Sequence, residues 1–166
     1  MKRFFRIVFV LLIAGLFVVL SPLTVVTAAE TDDFVITVQT DNSGSSSSTQ
    51  FTIPTYSGET YNYNVDGDND GRNEANRVTG DYTCNYDSAG TYAIRIKDNA
   101  GDGTGFPRIY LNSTGDKVKL TFILQWGTGH WTSMNFAFAG CTNLGTYNTA
   151  DEPNLSGVTD LYGMFM

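Results

Sequence analysis

The residues with the clearest capacity for chemistry are acidic and closely spaced. Asp66, Asp68 and Asp70 alternate along the chain and are followed by Gly71. This is the opening of a calcium loop, in which alternate carboxylates converge on a hard cation and a glycine at the sixth place permits the sharp turn. Glu74 stands at the ninth place, where contact with the ion commonly runs through water, whereas the twelfth place, which would carry a bidentate Glu, is Arg77. Asp66, Asp68, Asp70 and Glu74 are therefore candidate calcium ligands. A solvated hairpin turn is the competing reading, since Asp, Asn and Gly are also the ordinary residues of such turns. Bound calcium would stiffen the loop, and catalysis would not follow from it.

Other chemistry is sparse. The chain has one histidine, His130, and no Ser or Cys nucleophile motif or orienting carboxylate can be paired with it. Its position beside Trp131 suits packing at a domain junction. No Gly-rich phosphate loop followed by Lys is present. These absences point away from an enzyme. Cys84 and Cys141 read as two separate buried thiols, with a Cys84 to Cys141 disulfide or an intermolecular bridge as the alternatives, because nothing in the sequence establishes that their Cα atoms come within the ~7 Å that a disulfide needs. Tyr56, Tyr61, Tyr63, Tyr110, Trp126 and Trp131 suit either a binding platform or a core, and strand alternation turns several of them inward.

The elements that must position these residues follow from composition. The chain has 166 residues and a formal charge of -7. Lys2, Arg3 and Arg6 precede an apolar run from Ile7 to Leu20, and the small residues Thr27, Ala28 and Ala29 follow it. This is the layout of a secretory signal peptide over residues 1–29, too short an apolar run to span a bilayer. The remainder carries seven basic against seventeen acidic groups, a balance that repels nucleic acid and anionic lipid. No second apolar stretch is long enough to cross a membrane, so the exported chain is expected outside the cell or at its surface.

Beyond the leader, Asn, Gly, Ser and Thr dominate, as they do in strands joined by turns. Period-2 alternation predicts strands at Phe34 to Gln39, Gln50 to Ile53, Tyr61 to Val65, Tyr82 to Tyr86, Tyr92 to Lys97, Arg108 to Leu111 and Val118 to Leu124. Thr40 to Ser48 reads as a flexible Gly/Ser connection. Short strands at this spacing predict a mainly β chain, an antiparallel β-sandwich over residues 32–125. From His130 the spacing becomes helical, in Met134, Phe136, Ala137 and Phe138, with Gly140 suited to a helix end. Trp131 to Met134 is then echoed by Val158 to Leu161, and Phe138 by Phe165. The offset is the same for every pair and falls within the period of leucine-rich-type repeats.

Two stretches carry a family resemblance. Asp87 to Ile96, with Ala89-Gly90-Thr91-Tyr92 stepping into an alternating strand, looks like the turn and strand of a PKD-type (polycystic-kidney-disease-type) immunoglobulin-like domain. Trp131-Thr132-Ser133-Met134, Ala137-Phe138, Gly140-Cys141, Asn143-Leu144 and Pro153 to Asp160 resemble the repeat of BspA-type leucine-rich-repeat surface proteins. The resemblance implies a bacterial secreted or cell-surface protein whose sandwich precedes a repeat solenoid, here incomplete over residues 126–166 and cut within its second repeat. It further implies adhesion: non-enzymatic binding of extracellular protein or glycan through the repeat face. The alternatives are a carbohydrate-binding accessory sandwich of a secreted enzyme and a nonfunctional truncated paralogue.

Overall fold

The structure, a computed structural model, describes residues 32–145, 149 and 151–166. The expected signal peptide lies outside the described residues. Among those residues there are seven strands, one short 3-10 turn and no α-helix: β1 (Phe34–Gln39), β2 (Gln50–Ile53), β3 (Tyr63–Asp66), β4 (Ala75–Val78), β5 (Tyr82–Asn85), β6 (Thr91–Asp98) and β7 (Leu120–Gln125), the 3-10 turn being Lys117–Lys119. No helix among the described residues is long and apolar enough to cross a membrane.

The strands form a five-stranded antiparallel sheet in the order β4-β3-β6-β1-β7 and a two-stranded sheet of β2 and β5. Alternation decides which face each residue takes. Phe34, Ile36 and Val38 of β1 stand opposite Ile96, Ile94 and Tyr92 of β6, and together with Tyr63, Val65, Leu120 and Ile123 they make the inner face of the larger sheet. Phe51, Ile53 and Cys84 of the smaller sheet belong to the same core, as a β-sandwich requires. Trp131, Met134 and Phe138 join it from the C-terminal part.

Three local expectations are corrected. The loop over residues 40–48 is not a loose connection: the ammonium of Lys119, fully buried, donates to Ser46 O, Ser46 Oγ, Ser47 O and Gln50 O at 2.7 to 3.1 Å. Asp116 closes the other side, accepting from Ser46 N, Ser46 Oγ and Thr52 N. A Cβ at Gly44 would fall on Asp116 Oδ1 and the Lys119 stem, so only glycine lets the loop lie this close. Arg108 to Leu111 is not a strand, and the β4 strand, which has no apolar alternation in sequence, pairs with β3.

The third correction concerns Met134 to Phe138, which forms no helix. Its buried positions fit a helical period, but its N–H groups go elsewhere. Met134, Phe136, Phe138 and Gly140 donate to the carbonyls of Asp160, Tyr162, Met164 and Met166, at one constant offset along the chain. Leu111 and Ser113 donate at the same offset to Ala137 and Ala139. The turn bonds recur with the period of the sequence echo as well: Thr114 N to Leu111 O and Cys141 N to Phe138 O, then Ala137 N to Met134 O and Met164 N to Leu161 O. Left-handed backbone recurs likewise, at Ser113 and Gly140 and at Phe136 and Gly163. Phe136 at φ 51 breaks any helix there.

Candidate functional site

Asp66 is the last residue of β3, on the outer face of the larger sheet. Register places it opposite Arg95 and puts Asn64 opposite Lys97. The chain then leaves the sheet in a tight loop tied down by its own carboxylates. Asp66 Oδ1 accepts from Asp70 N at 3.0 Å and Asp66 Oδ2 from Gly71 N at 3.0 Å, while Lys97 Nζ lies 3.5 Å from Oδ2. Asn69, at φ 59, turns its side-chain oxygen back to accept from Arg95 Nε at 2.8 Å. Arg95, buried, also pairs with Asp33 at 3.1 Å. The polar face of β6 is therefore covered by this loop at Arg95, although its alternation alone predicts a fully solvated face.

Of the four candidate ligands the fold brings three together. One oxygen each of Asp66, Asp68 and Glu74 lie within 4.8 Å of one another. Asp70 stands outside this group and its Oδ1 accepts from Arg72 N at 2.8 Å. Glu74 Oε2 accepts from Gly67 N. Tyr86 donates to Gly67 O at 2.7 Å, anchoring the loop to the smaller sheet, and its own ring stacks on Tyr92 at 3.7 Å. Burial raises the Tyr86 phenol, so the hydroxyl stays a donor. Sequence spacing revealed the carboxylates but not Tyr86 or Lys97, which approach through strand pairing and the end of β5. Calcium takes six to eight oxygens, and both Asp66 oxygens are already occupied by N–H donors, so three carboxylates offer a weak, partly solvated site.

A cleft of about 240 Å3 adjoins the loop, bounded by Asp68, Glu74, Tyr82, Cys84 and Tyr86. Burial pushes the Cys84 thiol up to about 12, leaving it protonated and inert. Cys141 is raised to about 12 in the same way, and both cysteines are free thiols.

His130 is exposed, not packed at a junction; its neighbour Trp131 is the residue that enters the core. The imidazole faces Gly103 at the rim of a cleft with Asp32, Asp33, Asp98 and Asp102. Burial disfavours the Asp98 carboxylate, but N–H bonds from Gly103, Ala100, Gly105 and Gly101 outweigh it and hold its pKa below the usual range. Asp102 is lowered by the Thr104 hydroxyl and N–H. These bonds shape the loop 98–105.

The six singled-out aromatics divide. Tyr61, Tyr63 and Trp131 are buried, and Trp126 packs on Phe34, Trp131 and Phe138. Tyr56 is exposed and Tyr110 partly so. Comparison with known proteins adds no relative: no family model, curated protein or solved structure matches this chain.

Proposed function

We propose that the chain is a non-enzymatic, exported binding protein of bacterial type. In this reading an immunoglobulin or PKD-like sandwich carries the start of a BspA-type repeat array, which binds extracellular protein or glycan. The observation that carries it is the shared offset of the backbone hydrogen bonds from Leu111 and Ser113 to Ala137 and Ala139 and from Met134, Phe136, Phe138 and Gly140 to Asp160, Tyr162, Met164 and Met166. A recurring offset with recurring turns is what stacked repeats produce. The second echo leaves Leu161, Tyr162, Phe165 and Met166 exposed by 53% to 68%, an apolar surface suited to a macromolecular partner. Asp66, Asp68 and Glu74 are assigned to weak calcium binding that stiffens the sandwich loop.

An array of secreted proteins and extracellular glycans, probed with the full chain and with a Tyr162→Ser, Phe165→Ser double variant, tests the reading. A ligand whose retention falls with the double variant supports it. The reading is overturned if every retained ligand is held equally by both, with unchanged circular dichroism.

A further inference from the structure

Where loops 54–61 and 79–81 meet the segment 108–110, the sandwich end opens into a cleft of about 590 Å3, within the size range of small-ligand sites. Its walls include Tyr56, Glu59, Tyr61, Thr79, Asp81 and Tyr110. Tyr56, 37% exposed, meets Tyr110 edge to face with ring centroids 5.0 Å apart. The rings are held in place from behind. The buried Arg108 guanidinium lies 4.1 Å from the Tyr56 ring and 4.5 Å from the Tyr110 ring, and its Nη2 donates to Asn135 O at 2.9 Å. Tyr61 Oη accepts from Tyr56 N and donates to Arg108 O, both at 2.9 Å, locking the two segments together.

The polar groups of the cleft are fixed yet have bonding capacity to spare. Asp81 Oδ1 takes Thr55 N and Oγ1 at 2.7 Å, which orients the carboxylate and leaves Oδ2 without a partner among the described residues. Glu59 Oε1 accepts from Thr132 Oγ1, leaving Oε2 without one. The hydroxyls of Tyr56, Ser57, Thr79 and Tyr110 likewise have no partner among the described residues. Fixed aromatic area beside carboxylates and hydroxyls matches a ligand with an apolar C–H face and many O–H donors.

Charge narrows the class. Glu59 and Asp81 repel an anion, and no basic side chain among the described residues lines the cleft. Arg108 already takes the position of a cation against both rings, which leaves their remaining surface to apolar contact. We propose that this cleft binds a neutral glycan, one sugar ring against Tyr56 and Tyr110 with hydroxyls donating to Asp81 and Glu59. The site lies on the sandwich and does not depend on the repeat-face reading.

The full chain is applied to an array of neutral, anionic and amino-substituted oligosaccharides, and the best-retained neutral glycan is then titrated calorimetrically. Expected are retention of a neutral glycan, shifts of the Tyr56, Thr79, Asp81 and Tyr110 amide resonances on its addition, and a loss of about tenfold or more in affinity on Tyr110→Ala. The Phe165→Ser variant keeps full affinity, which separates this site from the repeats. The amide shifts need no variant and decide the matter if Tyr110→Ala unfolds. Retention of only anionic or amino-substituted glycans, of none, or shifts confined to other residues overturns the proposal.

Discussion

The ring of Phe165 lies on that of Phe138, the residue it echoes in sequence, with centroids 5.6 Å apart and planes 13° from parallel. The two occupy equivalent places but different surroundings, Phe138 being 1% exposed and Phe165 65%. Phe138→Ala is expected to cost about 3 to 4 kcal/mol, as a large buried side chain removed from a core. Phe165→Ala is expected to cost about 1 kcal/mol, the worth of an aromatic contact at the surface. Urea unfolding monitored by circular dichroism checks both, and equal losses would contradict the difference in burial.

Lys119→Met removes the ammonium that holds the loop 40–48. It leaves the carbonyls of Ser46, Ser47 and Gln50 without their donor and Asp116 without its nearby cation. A loss of roughly 3 to 5 kcal/mol is expected, as for one partner taken from a buried charged network. Comparison with Asp116→Asn and the double variant by urea unfolding should show strongly non-additive losses, because the two side chains share Ser46.

Stability should fall in acid below about pH 4, the ordinary range of an unfolded Asp. At Asp116 burial favours the neutral form, but the Ser46 N–H and hydroxyl, the Thr52 N–H and Lys119 outweigh it, and the folded pKa is lowered. Asp98 is lowered by its four N–H donors against the same opposing burial. A carboxyl with a depressed folded pKa contributes stability above its unfolded pKa and loses it as pH falls through the folded value. The urea midpoint at pH 3 should therefore lie below that at pH 6, and Asp116→Asn should flatten part of this slope. A slope unchanged in the variant would contradict the role of Asp116.

Calorimetric titration with calcium is expected to show one weak site, with a dissociation constant on the order of 0.1 to 1 mM as in extracellular modules. Asp68→Asn with Glu74→Gln should abolish it, whereas Asp70→Ala, outside the cluster, should leave the ion contacts in place. No heat at millimolar calcium would reject the assignment.

Native protein should react slowly with a thiol reagent at pH 8, since burial raises both Cys84 and Cys141 to about 12. Denatured without reductant, it should titrate two thiols. Fewer than two would indicate a bridge.

Alternation made β1 and β2 legible at the observed bounds and most of β6, because one face of each strand is apolar and the register cannot slip. β4 was not legible: Ala75, Asn76, Arg77 and Val78 show no period, and their strand exists because β3 offers an edge to pair with. The helical reading of Met134 to Phe138 was misled by burial at positions that a stack of turns produces as well as a helix does. Spacing likewise located Asp66, Asp68 and Glu74, but could not place Asp70 outside the cluster or Lys97 beside it.

From its residues alone this chain was determined to be mainly β, acidic, and marked by an internal echo in its C-terminal part, because side-chain period and turn chemistry are local properties. Only the tertiary structure decided where backbone donors and charges go. The N–H groups of Met134, Phe136, Phe138 and Gly140 find the carbonyls of Asp160, Tyr162, Met164 and Met166, Lys119 finds the loop 40–48, and Tyr56 and Tyr110 line a cleft while Tyr63 is buried. Each outcome depends on segments distant in sequence meeting around one core, where an unpaired donor or charge is too costly to leave buried.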